Sequence, residues 1–493
     1  DEFQDTNTIQ YAWLRVLAGT TGQPFAVGDD DQSIYGWRGA KIENIQRFSK
    51  DFPGTRIVRL EQNYRSTANI LNAANALIAN NASRMGKRLW TEGPEGDPVR
   101  IYAAFNERDE ADFVIERIQS LVREGNARSE IAVLYRSNAQ SRVFEEMLIN
   151  AAIPYRVYGG LRFFERAEIK DALAYLRLMA NRDDDASFER VVNLPTRGIG
   201  ARTVDAMREY AKANATSLWK AAGALASGEL TKRAATAVVG FINLIEGLDR
   251  DTRGYSLHER VDQVVQDSGL IEHHGREKGE RGEARVENLR ELVSAARGFE
   301  PEPDSELDPL NEFLSHAALE AGDTQSDAWQ DCVQLMTMHS AKGLEFPVVF
   351  LCGMEDGLFP HQRSLNDLGG LEEERRLCYV GATRAMQSLY LTYAEQRRLH
   401  GRDSFALPSR FLAEFPKNCV EEIRPQVQVS RPVSNTSNRF SPGNETGLRL
   451  GQRVRHSRFG EGVVLDCEGQ GSHARVQVNF ETCGTKWLVL AYA

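Results

Sequence analysis

The chain has 493 residues, enough for about three domains at roughly 100–200 residues each. Its 41% hydrophobic and 26% charged residues exclude a disordered chain, and its longest apolar runs, such as 348–352, fall far short of the roughly 18 residues that span a bilayer. A net charge of -10, from 60 basic and 70 acidic residues, excludes bulk polycation behaviour but leaves room for a local basic groove. The six cysteines are scattered without a CxxC pair, so they read as reduced thiols of a cytoplasmic protein.

In chain order, the first residues are Asp1-Glu2-Phe3-Gln4-Asp5, with neither an initiator Met nor a signal-peptide pattern. Paired carboxylates before an amphipathic stretch (Ile9, Trp13, Leu14, Leu17) are usual just beyond a buried parallel strand, and no strand precedes them, so a cut segment is expected. From about 24 to 160 the pattern alternates: Phe25–Val27, Thr55–Leu60, Val99–Ala103 and Ile131–Leu134 read as strands, while Ser66–Ile78 and Asp109–Val122 carry helical spacing. This predicts a parallel sheet covered on both faces. From about 160 to 330 strand signals vanish and helices dominate. They return at Val333–Met338, Pro347–Leu351 and Leu389–Tyr393, so the helical block reads as an insertion into one α/β domain. A Pro, Ser and Asn-rich stretch, Arg424–Gly447, reads as a flexible tether before a small β-barrel.

Hydrolysis of a phosphoanhydride needs a divalent cation on a carboxylate, a group that orients water, and cations facing the γ-phosphate. Asp1 and Glu2 suit the first two tasks, although an Asp-Glu pair alone is usually a solvated surface pair. The loop Gly28–Ala40 (GDDDQSIYGWRGA) crowds acids, an amide, aromatics and an Arg after an expected strand, where α/β sheets bind ligands. Gln32 can sense a γ-phosphate there and Tyr35 or Trp37 can stack on a base; the alternative is a turn whose aromatics pack in the core.

DEFQD, GDDDQSIYGWRGA, QNYRS (62–66), TMHSAKGLEF (337–346) and EERRLCYVGATRA (373–385) resemble, in order, motifs II through VI of the UvrD/Rep/PcrA helicases. The resemblance implies a partial first RecA-like motor domain (1–59) and a second one (60–160 with 330–423) carrying a helical insertion (161–329). It further implies a linker (424–447) and a Tudor-like barrel (448–493). It implies ATP and Mg²⁺, with Asp1 on the metal, Glu2 on the attacking water, Gln32 on the γ-phosphate, Tyr64 on adenine, and Arg65 and Arg384 as arginine fingers. Glu345 would meet the nucleotide sugar and Arg38 would link the loop to the nucleotide. Tyr35, Trp37, Arg136, Asn138, Thr337 and His339 would contact single-stranded DNA. For any of the arginines taken singly, an exposed ion pair is the ordinary expectation.

Two features belong to the duplex end of the resemblance. Gly198 and Gly200, in Leu194–Gly200, match a Gly-Ile-Gly element that approaches duplex phosphates; a plain helix-joining turn is the alternative. His400 stands at the tip of a strand-separating hairpin where close relatives have Tyr. The tail implies contacts with repair proteins or RNA polymerase, or else it is a solvated barrel surface.

The family reading is an ATP-dependent 3′–5′ helicase of nucleotide excision and mismatch repair, acting on single strands and junctions, cytoplasmic, without a membrane partner, as a monomer or weak dimer. The 493 residues contain no G-x-x-x-x-G-K-[ST], so on their own they are expected not to hydrolyse ATP. A recombination helicase-nuclease subunit of the AddA or RecB kind lacks support, since no nuclease-like cluster stands in the tail. A third reading is a non-catalytic binding module.

Overall fold

Two stretches of the chain, 99–157 and 333–423, supply the strands of one sheet. The computed structural model describes residues 1–423 except 20, 83, 278, 302–306, 323–330, 368 and 400–401, and beyond them 453–456, 459–468, 475–480 and 484–489. The strands are β1 (Val99–Ala104), β2 (Ile131–Tyr135), β3 (Tyr155–Val157), β4 (Val333–Thr337), β5 (Phe346–Leu351) and β6 (Ala385–Ala394). Then come β7 (Gln396–Leu399) and β8 (Arg402–Phe405), a separate antiparallel hairpin, and β9 (Val420–Ile423), which rejoins the sheet. The sheet has seven strands in the order β3-β4-β2-β5-β6-β1-β9, and every pairing is parallel.

Period-two alternation divides each strand between two cores. Ala132, Leu134, Val349, Leu351, Leu389 and Leu391 pack with α3 (Ala68–Ile78) and α15 (Gly370–Ala382). Ile131, Val133, Tyr135, Val348 and Phe350 pack on the opposite face with α4 (Glu107–Arg123) and α5 (Ser141–Asn150). Burial on both faces explains why these strands read as continuous apolar runs.

Before the sheet lie α1 (Thr8–Ala18) and α2 (Glu43–Asp51), which close a small cluster of Phe3, Tyr11 and Phe48. The apolar stripe of α1 is uncovered: Ile9 is 79% and Trp13 65% exposed. Two expected strands do not form. Residues 25–27 and 55–60 belong to no strand, with Phe25 92% and Leu60 81% exposed. Their β-rich composition is real, but a strand exists only where a neighbour takes its N–H and C=O groups. Val27 receives a single such bond, from Phe3 N at 3.0 Å.

Between β3 and β4 the described residues are helical: α6 (Ala167–Ala180), α7 (Asp185–Val191), α8 (Ala201–Asn214), α9 (Leu218–Ala226), α10 (Lys232–Asp251), α11 (Leu257–Asp267), α12 (Leu270–Gly275), α13 (Glu280–Gly298) and α14 (Pro309–Gly322). They enclose a core of their own around Tyr175, Phe188 and Phe241. One face of α13 presents Glu287 to Ser137 and His361, and Glu291 to Arg142 at 2.6 Å, which fastens this body to the sheet domain.

Residues 426–493 form a second compact unit. Its strands β10 (Arg453–His456), β11 (Gly460–Glu468), β12 (Arg475–Phe480) and β13 (Gly484–Val489) make an antiparallel meander around Val476, Val478 and Phe480. Among the described residues the pairings are those of an open four-stranded sheet. The expected linker at 424–447 lies outside the described residues. No helix among the described residues is long and apolar enough to cross a membrane.

Candidate functional site

The loop 337–346 leaves the C-terminal end of β4, the place where parallel sheets bind ligands. Thr337 Oγ1 shares a hydrogen bond with Ser340 Oγ at 3.0 Å, and Ala341 N donates to Thr337 O at 3.1 Å, so the loop turns tightly. Gly343 then takes a left-handed φ of 87°, which a glycine adopts without strain. This turn places Lys342, only 5% exposed at its side chain, beneath the first residues of the chain. Its ammonium donates to Asp5 Oδ2 at 2.6 Å and to Gln32 O at 3.0 Å, lies 3.2 Å from Glu2 Oε2, and sits 5.2 Å from the centre of the Tyr35 ring. One cation therefore joins three sequence blocks. Burial still pushes the Asp5 carboxyl above its ordinary value despite Lys342, and Asp5 Oδ1 has no hydrogen-bond partner. Lys342 is not among the residues that the sequence motifs point to. The usable signal was a Lys three residues before Glu345 in a strand-end loop.

The same loop receives both expected arginine fingers. Arg384 follows the C-terminus of α15 and is 2% exposed; its Nε donates to Val380 O at 3.0 Å and its terminal nitrogens to Leu344 O at 3.1 Å and Thr383 Oγ1 at 3.2 Å. All three acceptors are neutral. Burial, and after it the charge of Arg65, pushes this guanidinium down to about 10. Arg65 donates to Glu345 Oε2 at 2.5 Å and to Thr383 O at 3.4 Å. It is aimed by Asn63, whose Oδ1 accepts from Arg65 N at 2.9 Å and Ser66 N at 2.8 Å. A buried guanidinium with neutral partners beside a second guanidinium is an arrangement that an anion relieves. Tyr64, 86% exposed, projects from the same turn with its hydroxyl on Gln62 Oε1 at 2.9 Å.

The loop 28–40 folds against these groups. Its acids are absorbed locally: Asp31 accepts two bonds from Arg84 at 2.8 and 2.5 Å, Asp30 accepts from Met85 N at 2.7 Å, and Asp29 pairs with Lys87. Gln32 Nε2 donates to Asp29 Oδ2 at 2.6 Å. Tyr35, Trp37 and His339 form an aromatic cluster with ring centres 6.3–6.4 Å apart, and the Arg38 guanidinium stacks 4.5 Å from Trp37 and 4.8 Å from Tyr35. Tyr35 OH donates to His339 O at 3.2 Å, whereas Trp37 stays 41% exposed. Trp37→Ala is expected to weaken single-strand binding by about 1–3 kcal/mol if the ring stacks on a base, measured by fluorescence titration with oligonucleotides. Unchanged affinity would make Trp37 a packing residue.

Burial first, then the charges of Arg136 and Arg38, push His339 from 6.5 down to about 3. The unfolded chain takes up this proton near 6.5 and the folded chain only near 3, so the unfolded state binds more protons between them. The contribution is whole above 6.5 and is lost as pH falls toward 3. The urea midpoint is expected to drop on acidification from neutrality to pH of about 5, and less steeply in His339→Asn. Equal slopes would remove His339 as the cause.

The remaining candidates fall in other settings. Arg136 donates bidentately to buried Glu374 at 2.9–3.1 Å. Asn138 uses its carbonyl to accept from Arg166 at 3.0 Å. Gly198, with φ 87°, and Gly200, the residue before α8, lie in the helical insertion with open space where a Cβ would stand. Their turn is shaped from beneath by Arg197, which donates to Tyr175 OH at 2.5 Å and Ser268 O at 2.8 Å. His400 lies outside the described residues. Asp1 is exposed, and its carboxylate accepts from Glu2 N at 2.9 Å.

Comparison with known proteins gives this arrangement a family. The UvrD-like helicase C-terminal domain matches residues 58–396, the UvrD/REP helicase N-terminal domain residues 1–53, and the PcrA/UvrD tudor domain residues 450–493. The chain is 60% identical to DNA helicase II of Escherichia coli (strain K12), over 100% of this chain and 69% of that protein. It is 56% identical to DNA helicase II of Haemophilus influenzae, over 99% of this chain and 68% of that protein. It is 42% identical to the ATP-dependent DNA helicase PcrA of Staphylococcus epidermidis, over 100% of this chain and 69% of that protein. With every motif block gathered on the loop that carries Lys342 and Glu345, and with identity of this extent, the chain belongs to the UvrD-like DNA helicases.

Proposed function

We propose that this chain is the greater part of a motor that hydrolyses ATP to move 3′ to 5′ on single-stranded DNA and unwinds duplex, serving nucleotide excision and mismatch repair in the cytoplasm. The observation that carries the reading is the joining of Glu2, Gln32, Arg65 and Arg384 to one loop through Lys342, Leu344 and Glu345. Such a hub lets a nucleotide pull the 1–52 region and the sheet domain together, so that ATP occupancy controls movement along DNA.

The carboxylates of Asp1 and Glu2 are exposed oxygen donors of the hard type Mg²⁺ prefers, which fits the expected metal. Mg²⁺ held there would neutralise phosphate charge. Asp1 serves the metal, while Glu2, held by Lys342 and Gln4, orients water. Arg65 and Arg384 face the γ-phosphate, Gln32 reports its presence to the aromatic loop, Tyr64 stacks on adenine, Glu345 meets the sugar and Arg38 ties the loop to the nucleotide. Trp37, Tyr35, Thr337, His339, Arg136 and Asn138 line the single-strand side, with Arg136 leaving Glu374 to reach DNA. Gly198, Gly200 and His400 meet the duplex, and the 450–493 module docks a partner protein.

These 493 residues contain no phosphate-cradling Lys loop, so alone they are expected to release no phosphate above background, while the full-length protein does so with stimulation by single-stranded DNA. A coupled phosphate-release assay on both proteins decides. DNA-stimulated turnover by the 493 residues would overturn the assignment of the missing cradle, and no turnover by the full-length protein would overturn the motor.

A further inference from the structure

The β7–β8 hairpin leaves the sheet directly after β6, and its root is held by buried ions. Glu110 on α4 and Glu355 beyond β5 are each 1% exposed, and Arg397 on β7 is 7% exposed. Arg397 forks onto Glu355, with Nε on Oε2 at 2.7 Å and a terminal nitrogen on Oε1 at 2.6 Å, and the same terminal nitrogen also donates to Glu110 Oε2. Both carboxylates are fixed in turn. Glu110 Oε1 accepts from Thr392 Oγ1 at 2.6 Å and Gly353 N at 2.8 Å, and Glu355 Oε1 accepts from Ala394 N at 2.8 Å. The return strand is riveted to the same residue, since Ser404 Oγ donates to Arg397 O at 3.1 Å.

Three buried charges are a poor way to gain stability, because apolar groups of the same volume usually do as well. A bidentate guanidinium fork fixes distance and angle together, which apolar contact does not. The three groups come from a helix on one face of the sheet, a strand exit and the hairpin, so the fork sets the direction in which the hairpin leaves the sheet. Deepening the helicase reading, on which it rests, we infer that Arg397 is a positioning residue for strand separation. Held by Glu110 and Glu355, it makes the hairpin a rigid extension of the motor sheet, so that each advance of the sheet drives the hairpin against the first base pair instead of bending it aside.

The test uses the full-length protein with Arg397→Lys, which keeps the charge and loses the fork, and with Glu355→Gln, which keeps the shape and loses the charge. Single-strand-stimulated ATP turnover and single-strand translocation are expected to stay within about twofold of the parent. Duplex unwinding is expected to fall at least tenfold, so that ATP consumed per base pair opened rises by the same factor. A residue that merely stabilised the fold would lower both activities together and leave that ratio unchanged. Unwinding retained within twofold, or a proportional loss of both activities, overturns the inference. Should both variants fail to fold, hydrogen exchange on the parent decides: the amides of Gln396 and Ala406 are expected to exchange as slowly as those inside β6, and fast exchange overturns it. Absence of ATP turnover in the parent would count against the helicase reading, not against Arg397.

Discussion

Replacing Arg384 with alanine in the full-length protein is expected to lower kcat for ATP by about three orders of magnitude while leaving single-strand affinity within about twofold, because a guanidinium acting on the transferring phosphoryl contributes roughly 10³–10⁵. The structure explains why the loss should fall on turnover. Arg384 is bound only by carbonyls and a hydroxyl, so its charge has no carboxylate contact competing with a phosphate, and Arg65 beside it raises the attraction for one. The side chain is 2% exposed whereas Trp37 is 41% exposed, so the substitution should leave the exposed aromatic surface unchanged. Folding should survive, because removing a desolvated cation with neutral partners strands no opposite charge. Arg384→Lys should not restore activity, since an ammonium cannot reproduce the planar fork. Steady-state ATPase kinetics and oligonucleotide titration measure both quantities. Equal kcat in mutant and parent would take Arg384 out of the catalytic group.

Lys342→Ala carries the second large effect, and on stability as well as turnover. Its ammonium is the shared partner of Asp5 and Glu2, and Asp5 is already pushed toward protonation by burial. Removing one partner of a fully buried ion pair typically destabilises by about 3–5 kcal/mol, and the loss here should be smaller because Asp5 is 21% and Glu2 55% exposed at the side chain. The thermal midpoint should therefore drop, and stimulation of ATP turnover by DNA should weaken, because the bond from Lys342 to Gln32 O is one of the ties between this loop and the aromatic segment, beside that from Tyr35 OH to His339 O. Lys342→Arg should recover part of the stability but not the stimulation. A normal thermal midpoint together with normal stimulation in Lys342→Ala would show that the hub is dispensable.

The legibility of fold and site in the amino-acid sequence depends on the physical content of each signal. Runs such as Ile131–Leu134 and Pro347–Leu351 are apolar at every position because helices cover both faces, so they read as strands from sequence and are strands. Residues 25–27 (FAV) and 55–60 (TRIVRL) are also rich in β-branched and apolar residues and yet form no strand, since composition reports a readiness to pair and says nothing of where the partner is. At the site, the blocks around Arg65, Glu345 and Arg384 were readable as motifs, and the structure brings these three side chains to one loop. Lys342 escaped notice because its role depends on which carboxylates the fold brings beneath it. The pairing of Arg136 with Glu374 was not legible, because the partner stands 238 positions away and no local pattern indicates it.

The pairing of β3 with β4 has one more implication. Tyr155 stands beside Val333 in the sheet although α6 to α14 intervene in sequence. Adjacent parallel strands need only a crossover of about a dozen residues. The whole helical body occupies the place of that one connection, held where the chain leaves β3 and returns to β4 and along the face of α13 that meets Ser137, Arg142 and His361. Its length and the surface turned away from α13's fastened face can therefore vary without changing the register of β3 and β4, so that face is the part of the insertion the sheet domain constrains.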